Sequence, residues 1–459
     1  MDYLIRGGLV TSSAGQFAAD IHVSQGVIKA IDRNLAAELT GKTRIIPAEG
    51  KYVFPGGIDA HVHFGANSRG FTSADDYVSG GVAAAAGGTT TIIDMVPQRR
   101  GISLGKGLDQ WREKACDAVV DYSLHPIVSD VTPVVLDELP SIIADGYSSL
   151  KVFLGTNDKQ IDDYALLSIL EVAGKFGAPV LISAGNSRVE KYFTARLIKD
   201  GKSAVEYFPR SRPNAGEVEG TFRAIHLAEL VGAPIYFTHV SCGEALEQIA
   251  VARARGLSVF GETCPHYLLL SSDRYRLPNL EAAKFVVNPP LREACEQAKL
   301  WSGLGTGVLQ VVSSDHCPFK FAGQKALGRT FEEIPTGLPG IETRLTLLYS
   351  FGVGTGKLSL GRFVDLVAEM PAKLFGLYPK KGKLAVGADA DLIVFDPEER
   401  VELSPAVLHQ NIDYSPYEGL ELRGYPVLTM LRGEVIVERG KFLGRLGYGR
   451  FVPRNTFQV

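Results

Sequence analysis

The chain has 459 residues, 45% of them apolar and 22% charged, with a formal net charge of −3. That length suits one large domain plus a smaller one, and the near-neutral charge gives no field that would draw nucleic acid or an anionic membrane. No run approaches the roughly 18 apolar residues of a membrane span, and the five cysteines (116, 242, 264, 295 and 317) are odd in number, scattered and in no C-x-x-C pair, which suits a reduced protein rather than a disulfide framework.

The N-terminal MDYLIRGGLV has neither a long apolar core nor a small-residue cleavage site, so no signal peptide is read and a cytoplasmic location is expected. The first fifty residues are β-rich: DYLIRGGLV, ADIHVSQG and VIKAID are short, partly alternating runs broken by glycine. Beyond them the rhythm changes. Eight short apolar runs follow: PGGIDAHVHF (55–64), TTTIIDMV (89–96), VDYSLHPIV (120–128), SSLKVFLG (148–155), PVLISAG (179–185), PIYFTHVS (234–241), LSVFGETCP (257–265) and LQVVSSDHCP (309–318). Helical patterns over 164–177, 220–232 and 243–256 separate several of them. A strand texture returns in ADLIVFD and in VLTMLRGEVIVERGKFL (427–443), where Arg432-Gly433 and Arg439-Gly440 mark turns.

Alternating strands and helices with near-continuous apolar strands predict a parallel sheet, and eight repeats predict a (β/α)8 barrel. An open doubly wound sheet is the alternative, but no glycine-rich phosphate turn follows the first strand. The expected organisation is an α/β barrel over 53–382, a small β-sandwich from residues 1–52 and 383–445, and a tail over 446–459.

Chemistry in such a barrel gathers at the C-terminal strand ends. Strand one ends in His61 and His63, strand four carries Lys151, strand six ends in His239, and strand eight ends in Asp315 and His316. Two histidines two residues apart share a strand face, and neutral imidazoles suit zinc. A hydrogen-bonded pair of core histidines is the competing reading. Lys151 has no lone pair for a metal while protonated and is costly to bury. It fits a metal cluster if carbon dioxide converts it to a carbamate, whose oxygens bridge two ions. Asp315 is a candidate ligand and a proton acceptor for an activated water, the combination used in metal-assisted hydrolysis. Its competing reading is an ordinary helix cap.

HVH at 61–63, the lysine of SSLKVFLG, FTHVS at 237–241 and SSDHCPF at 313–319 resemble the cyclic-amidohydrolase branch of the amidohydrolase superfamily, most of all hydantoinases (phenylhydantoinases among them) and dihydropyrimidinases. The likeness continues through GETCPHYLLL (261–270), NPPLR (288–292), TGLPGIETRL (336–345) and DYSPYEGLELRGYPV (413–427). It implies a metal-dependent barrel with a β-sandwich, one or two Zn2+ ions per subunit, a carboxylated Lys151, and hydrolysis of the C–N bond of a cyclic ureide or imide. The implied metal ligands are His61, His63, Lys151, His239 and Asp315, with Asp315 also catalytic. Tails of this kind reach a neighbouring subunit in the family, so a homo-oligomer, favoured as a tetramer, is expected.

Departures from the family pattern surround the same place. Ser183 stands where a metal-binding histidine is expected, in LISAGNS, and Gly185 where a glutamate is expected. Thr156 occupies the position of a catalytic tyrosine. Asn288 and Thr336 occupy substrate-contacting positions that act through the main chain. His266 is a candidate for support of the ligands or for a structural role, and His22, His125, His226 and His409 are read as structural or surface residues. The changes allow an altered substrate, a catalytically weak or non-enzymatic homologue, or an allantoinase-type enzyme. A dihydroorotase is disfavoured, since Phe64 and Gly65 follow the histidine pair where that family places an arginine.

Overall fold

The computed structural model describes residues 2–35, 43–99, 101–155 and 159–457. It is a mixed α/β structure built around two parallel sheets. The first has three strands, Gly57–Val62, Thr89–Val96 and Asp121–Pro126. The second has five, Leu150–Phe153, Val180–Ser183, Ile235–Phe237, Val259–Thr263 and Val311–Val312, paired in chain order. Two isolated parallel bridges connect the sheets, Ile127 with Lys151 at one edge and Val62 with His316 at the other. Each of the eight apolar runs supplies one of these strands, the eighth only as the pair Val311–Val312.

These strands read as unbroken apolar runs because both faces are covered. Every residue of Gly57–Val62, Thr89–Val96, Asp121–Pro126 and Val259–Thr263 is buried. Ile92, Leu150, Val180, Ile182, Ile235 and Phe237 pack on the helices. Their alternates Ile93, Leu181, Tyr236, Phe260 and Val311 form a separate cluster with Phe375 and Val452. Polar side chains on this second face therefore have few water-exposed places to go except the strand ends.

Helices fill the connections and carry their own stops and starts. Asp162 caps Asp163–Lys175 by accepting from the Ala165 N–H at 2.9 Å, and Asn186 caps Ser187–Lys199 through the Arg188 and Val189 N–H groups. The helix expected over 220–232 begins earlier, at Asn214, directly after Pro213, and ends at Val231, where Gly232 turns left-handed at φ 66°.

The chain ends form a nine-stranded sheet in which Tyr52–Pro55 joins the N-terminal strand Asp2–Ser12 to Leu392–Glu402. Ile5, Val23, Val53, Leu392, Val394 and Met430 make its own core. The C-terminal tail lies against its own chain: Val452 N–H donates to Tyr122 O at 2.8 Å, and the buried Arg454 guanidinium donates to Ser123, Ser149 and the Leu124 carbonyl. Among the described residues no helix is long and apolar enough to cross a membrane.

Candidate active site

The strand order brings residues that are distant in sequence to one end of the parallel sheets. His61 Nε2 lies 3.1 Å from His63 Nε2, and both nitrogens lie 3.2 Å from the same Asp315 carboxylate oxygen. Two ligands each about 2.1 Å from a tetrahedral zinc would sit about 3.4 Å apart. The observed triangle is close to that spacing, so the donor set fits a divalent ion in both chemistry and size.

Glu262 fixes the direction in which His61 points. Its carboxylate accepts from His61 Nδ1, which leaves the Nε2 lone pair facing His63 and Asp315. The same carboxylate accepts from Tyr236 Oη at 2.8 Å and Ser313 Oγ at 2.5 Å. Burial would raise its pKa, but His61 and these donors hold it below the usual carboxylate range. Burial pushes His63 down to about 4, against a partial lift from Asp315, so its ring is neutral and able to ligate. Asp315 is held well below the usual range by His61 and His63 despite its burial.

Lys151 is 1% exposed and donates from Nζ to Thr238 Oγ1. Burial pushes its amine down to about 8, with Glu262 and Asp315 pulling the other way. His239 Nε2 lies 3.1 Å from Ser183 Oγ, and the His239 ring is 5.6 Å from that of His61. Burial and the Lys151 charge keep His239 neutral. His239 and Asp315 both adopt left-handed backbone, φ 44° and 51°. For a non-glycine residue this costs on the order of 1–3 kcal/mol and recurs where geometry is imposed on functional side chains.

The departures at the end of strand five have a structural counterpart. A Cβ on Gly185 would stand 2.9 Å from Glu190 Oε1, so Glu190 occupies the space a side chain at 185 would need. A Cβ on Gly220 would stand 2.5 Å from the Gly185 nitrogen, which holds the helix Asn214–Val231 hard against this turn. Ser183, Gly185, Glu190, Arg212 and Asn288 line one cavity here.

The remaining candidates divide. Asn288 faces the same cavity as Ser183, whereas the Thr336 N–H donates to Ser68 Oγ at 3.2 Å. His266 lies beside Asp315 and Cys264, buried, with its pKa pushed down to about 4 by that burial. Thr156 lies outside the described residues. His316 does not join the cluster: its Nε2 bonds Asp75 at 3.0 Å and its Nδ1 accepts from the Gly340 N–H, an orientation that turns it from His61, His63 and Asp315 toward the next loop. His125 is tied to Ser149 and the Ala60 carbonyl, His409 to Glu342, His226 to its own helix, and His22 lies 3.9 Å from Asp2.

Glu262, Tyr236 and Asp59 went unread in the sequence. Asp59 accepts from the Ser314 N–H at 3.1 Å and thereby ties strand one to the loop that carries Asp315. The available sign was a carboxylate inside an otherwise apolar strand, since a buried acid needs partners.

The Amidohydrolase family pattern matches residues 52–436. A D-hydantoinase of Geobacillus stearothermophilus is 45% identical, covering 100% of this chain and 97% of that protein. A D-hydantoinase of Ralstonia pickettii is 42% identical, with 100% of both covered. The crystal structure of a dihydropyrimidinase from Brevibacillus agri NCHU1002 superposes with a TM-score of 0.98 at 42% identity, over 100% of both chains. Likeness of this extent in sequence and in backbone places the chain in the amidohydrolase family, among the relatives named hydantoinase and dihydropyrimidinase.

Proposed function

We propose that the protein is a metal-dependent hydrolase that opens cyclic ureides or imides of the hydantoin and dihydropyrimidine type at a ring C–N bond. The observation that carries this reading is the convergence of His61, His63 and Asp315 on one point, with Lys151 and His239 beside them. The relatives, named as hydantoinases and a dihydropyrimidinase, support it and do not favour the catalytically weak or allantoinase-type alternatives.

The architecture we assign is a closed (β/α)8 barrel over residues 53–382 with a β-sandwich from 1–52 and 383–445. The two bridges that link the parallel sheets at both edges support the closure. The ligands we assign are His61, His63, Lys151 and Asp315 for one zinc ion, with His239 and Lys151 facing a second. Lys151 is buried with its amine near neutral pKa, which favours attack of the unprotonated nitrogen on carbon dioxide and loss of a proton to give the carbamate. When bound, the ion supplies Lewis acidity that brings the pKa of water toward neutrality.

The chain's own groups do the rest. Asp315 accepts the proton of the attacking water and returns it to the leaving ring nitrogen. Glu262 keeps His61 in one tautomer and one orientation. Asn288 and Thr336 offer main-chain groups to the ring, and Thr156 occupies the sequence position of the family's tyrosine. We assign the assembly as a homo-oligomer, favouring a tetramer; exposed Tyr164, Phe222 and Leu230 offer apolar surface for it.

The test is turnover of a panel of hydantoins, dihydropyrimidines, allantoin and cyclic imides by protein of measured metal content. Ring opening of a hydantoin or dihydropyrimidine is expected. Turnover of none, with metal fully bound, would remove this assignment.

A further inference from the structure

We propose that Lys325 is a positioning residue for ring binding: its side-chain amine pins the Val286 carbonyl and so holds in register the two irregular stretches that carry Asn288 and Thr336. The proposal rests on the reading that those two positions offer main-chain groups to the ring of the substrate.

Lys325 is 0% exposed, and its Nζ donates to the Val286 carbonyl at 2.8 Å. Burial pushes the amine down to about 7, with Cys317 pulling the other way, and no ion pair to a described carboxylate offsets that burial. A lysine placed in the interior without a counter-ion is costly, and an unbranched apolar stem would fill the same space. The amine is therefore there for the carbonyl it meets.

That carbonyl has a second donor. The Gly337 N–H reaches Val286 O at 3.0 Å, so both lone pairs are used. Asn288 lies two residues beyond Val286, and Thr336 lies immediately before Gly337. Residues 286–288 and 336–337 belong to no helix or strand, so no ladder fixes them. Gly337 also abuts the loop that carries Asp315: a Cβ on it would overlap the Cys317 carbonyl, and the Cys317 N–H donates to Leu338 O at 3.0 Å. One lysine thus sits where the Asn288 stretch, the Thr336 stretch and the Asp315 loop meet.

The base of the side chain is itself tied down. The Lys325 N–H donates to the Lys320 carbonyl at 3.1 Å and the Ala326 N–H to the Phe321 carbonyl at 3.0 Å. Asp413 accepts from the Phe321 and Ala322 N–H groups at 2.7 and 2.8 Å. Taking the amine away leaves Val286 O still bonded to Gly337, so no buried carbonyl is orphaned. Stability does not demand the lysine; the register of the ring-binding main chain does.

The experiment is steady-state kinetics of the full-length, metal-loaded protein on hydantoin and dihydrouracil, with metal content and thermal unfolding read on the same samples. Lys325→Met keeps an unbranched stem and removes the donor. Its KM should rise by at least about fivefold, the worth of one hydrogen bond, while kcat changes by less than about threefold, since ring binding and not the chemical step is disturbed. Metal content should be unchanged, and the unfolding midpoint no lower than that of the unmodified protein. Lys325→Gln keeps a donor on a shorter stem. It should raise KM by less than Lys325→Met does, and it carries the test if Lys325→Met does not fold. An unchanged KM with a lowered midpoint overturns the proposal and makes Lys325 a residue of the fold alone. A fall in metal content, or failure of both variants to fold, overturns it as well. If the unmodified, metal-loaded protein opens neither ring, the functional reading itself fails and this proposal with it.

Discussion

His61, His63 and Asp315 at the strand ends, and Asp121, Asp389 and Asp391 where the terminal sheet meets the parallel strands, each gather three ligand-type side chains within 4.8 Å. Their surroundings differ. The carboxylates of the second group are already matched by fixed cations: Lys381 Nζ bonds Asp121 at 2.8 Å, Asp391 at 2.5 Å and Asp389 at 3.3 Å, and Arg432 pairs with Asp121. The Arg450 N–H donates to Asp121 as well, so the network bolts the third strand, the terminal sheet and the tail together. In the first group the two imidazoles turn their Nε2 atoms toward a carboxylate, and the nearby lysine is spent on Thr238. Spacing alone would name both as metal sites. Charge matching separates a structural clamp from a donor set able to take a cation.

That distinction is best broken at its strongest points. Asp315→Asn keeps shape but removes the proton acceptor, and should lower kcat by about 10²–10⁴-fold, the usual worth of a positioned general base. Steady-state kinetics at fixed metal loading checks it, and a change under threefold would strip Asp315 of that role. Lys151→Ala should cost both bound metal and turnover, with partial recovery on adding a short carboxylic acid in place of the carbamate. Full metal and full rate in that variant would make Lys151 an ordinary buried lysine.

The clamp answers to a different assay. Lys381→Met leaves three buried carboxylates short of their cation and should destabilise the fold by about 3–5 kcal/mol, read by denaturant unfolding, while metal content per folded subunit stays the same. Loss of metal without loss of stability would invert the comparison.

Smaller effects sharpen it. Glu262→Gln should weaken metal affinity by about 10–100-fold, because His61 loses the carboxylate that fixes its tautomer. A chelator competition titration measures this. Ser183→His should add a strong donor beside His239 and raise zinc content and turnover of simple cyclic ureides, with Thr156→Tyr added if the rate does not follow the metal. If the unmodified chain already holds its zinc beside His239 through exhaustive dialysis, Ser183 is not the weak point.

Much of this was legible beforehand because strand ends and residue chemistry coincide. His61, His63, His239 and Asp315 are readable as polar groups at the ends of apolar runs and Lys151 as a lysine within one, and strands form where those runs lie. What was not legible depends on side-chain direction. His316 stands next to Asp315 in sequence, yet the left-handed φ of 51° at Asp315 sends the two apart, one to the histidine pair and the other to Asp75. Glu262 was hidden because a single acid in LSVFGETCP has no periodicity to announce it. Gly185 is a plain loss by sequence, yet Glu190, five residues on, fills the space that a side chain there would need. Within the tail, Arg454 is buried against its own strands, a contact that the tail's composition does not announce. Each of these turns on a long-range contact that no local pattern encodes.

The measurement closest to the central claim is an anomalous-difference map from crystals of the zinc-loaded protein. A peak within bonding distance of His61 Nε2, His63 Nε2 and the Asp315 carboxylate, with density for a carboxyl group on Lys151, is the predicted result, and no peak should fall among Asp121, Asp389 and Asp391. Water alone between the histidines, with zinc bound elsewhere or not at all, would contradict the account.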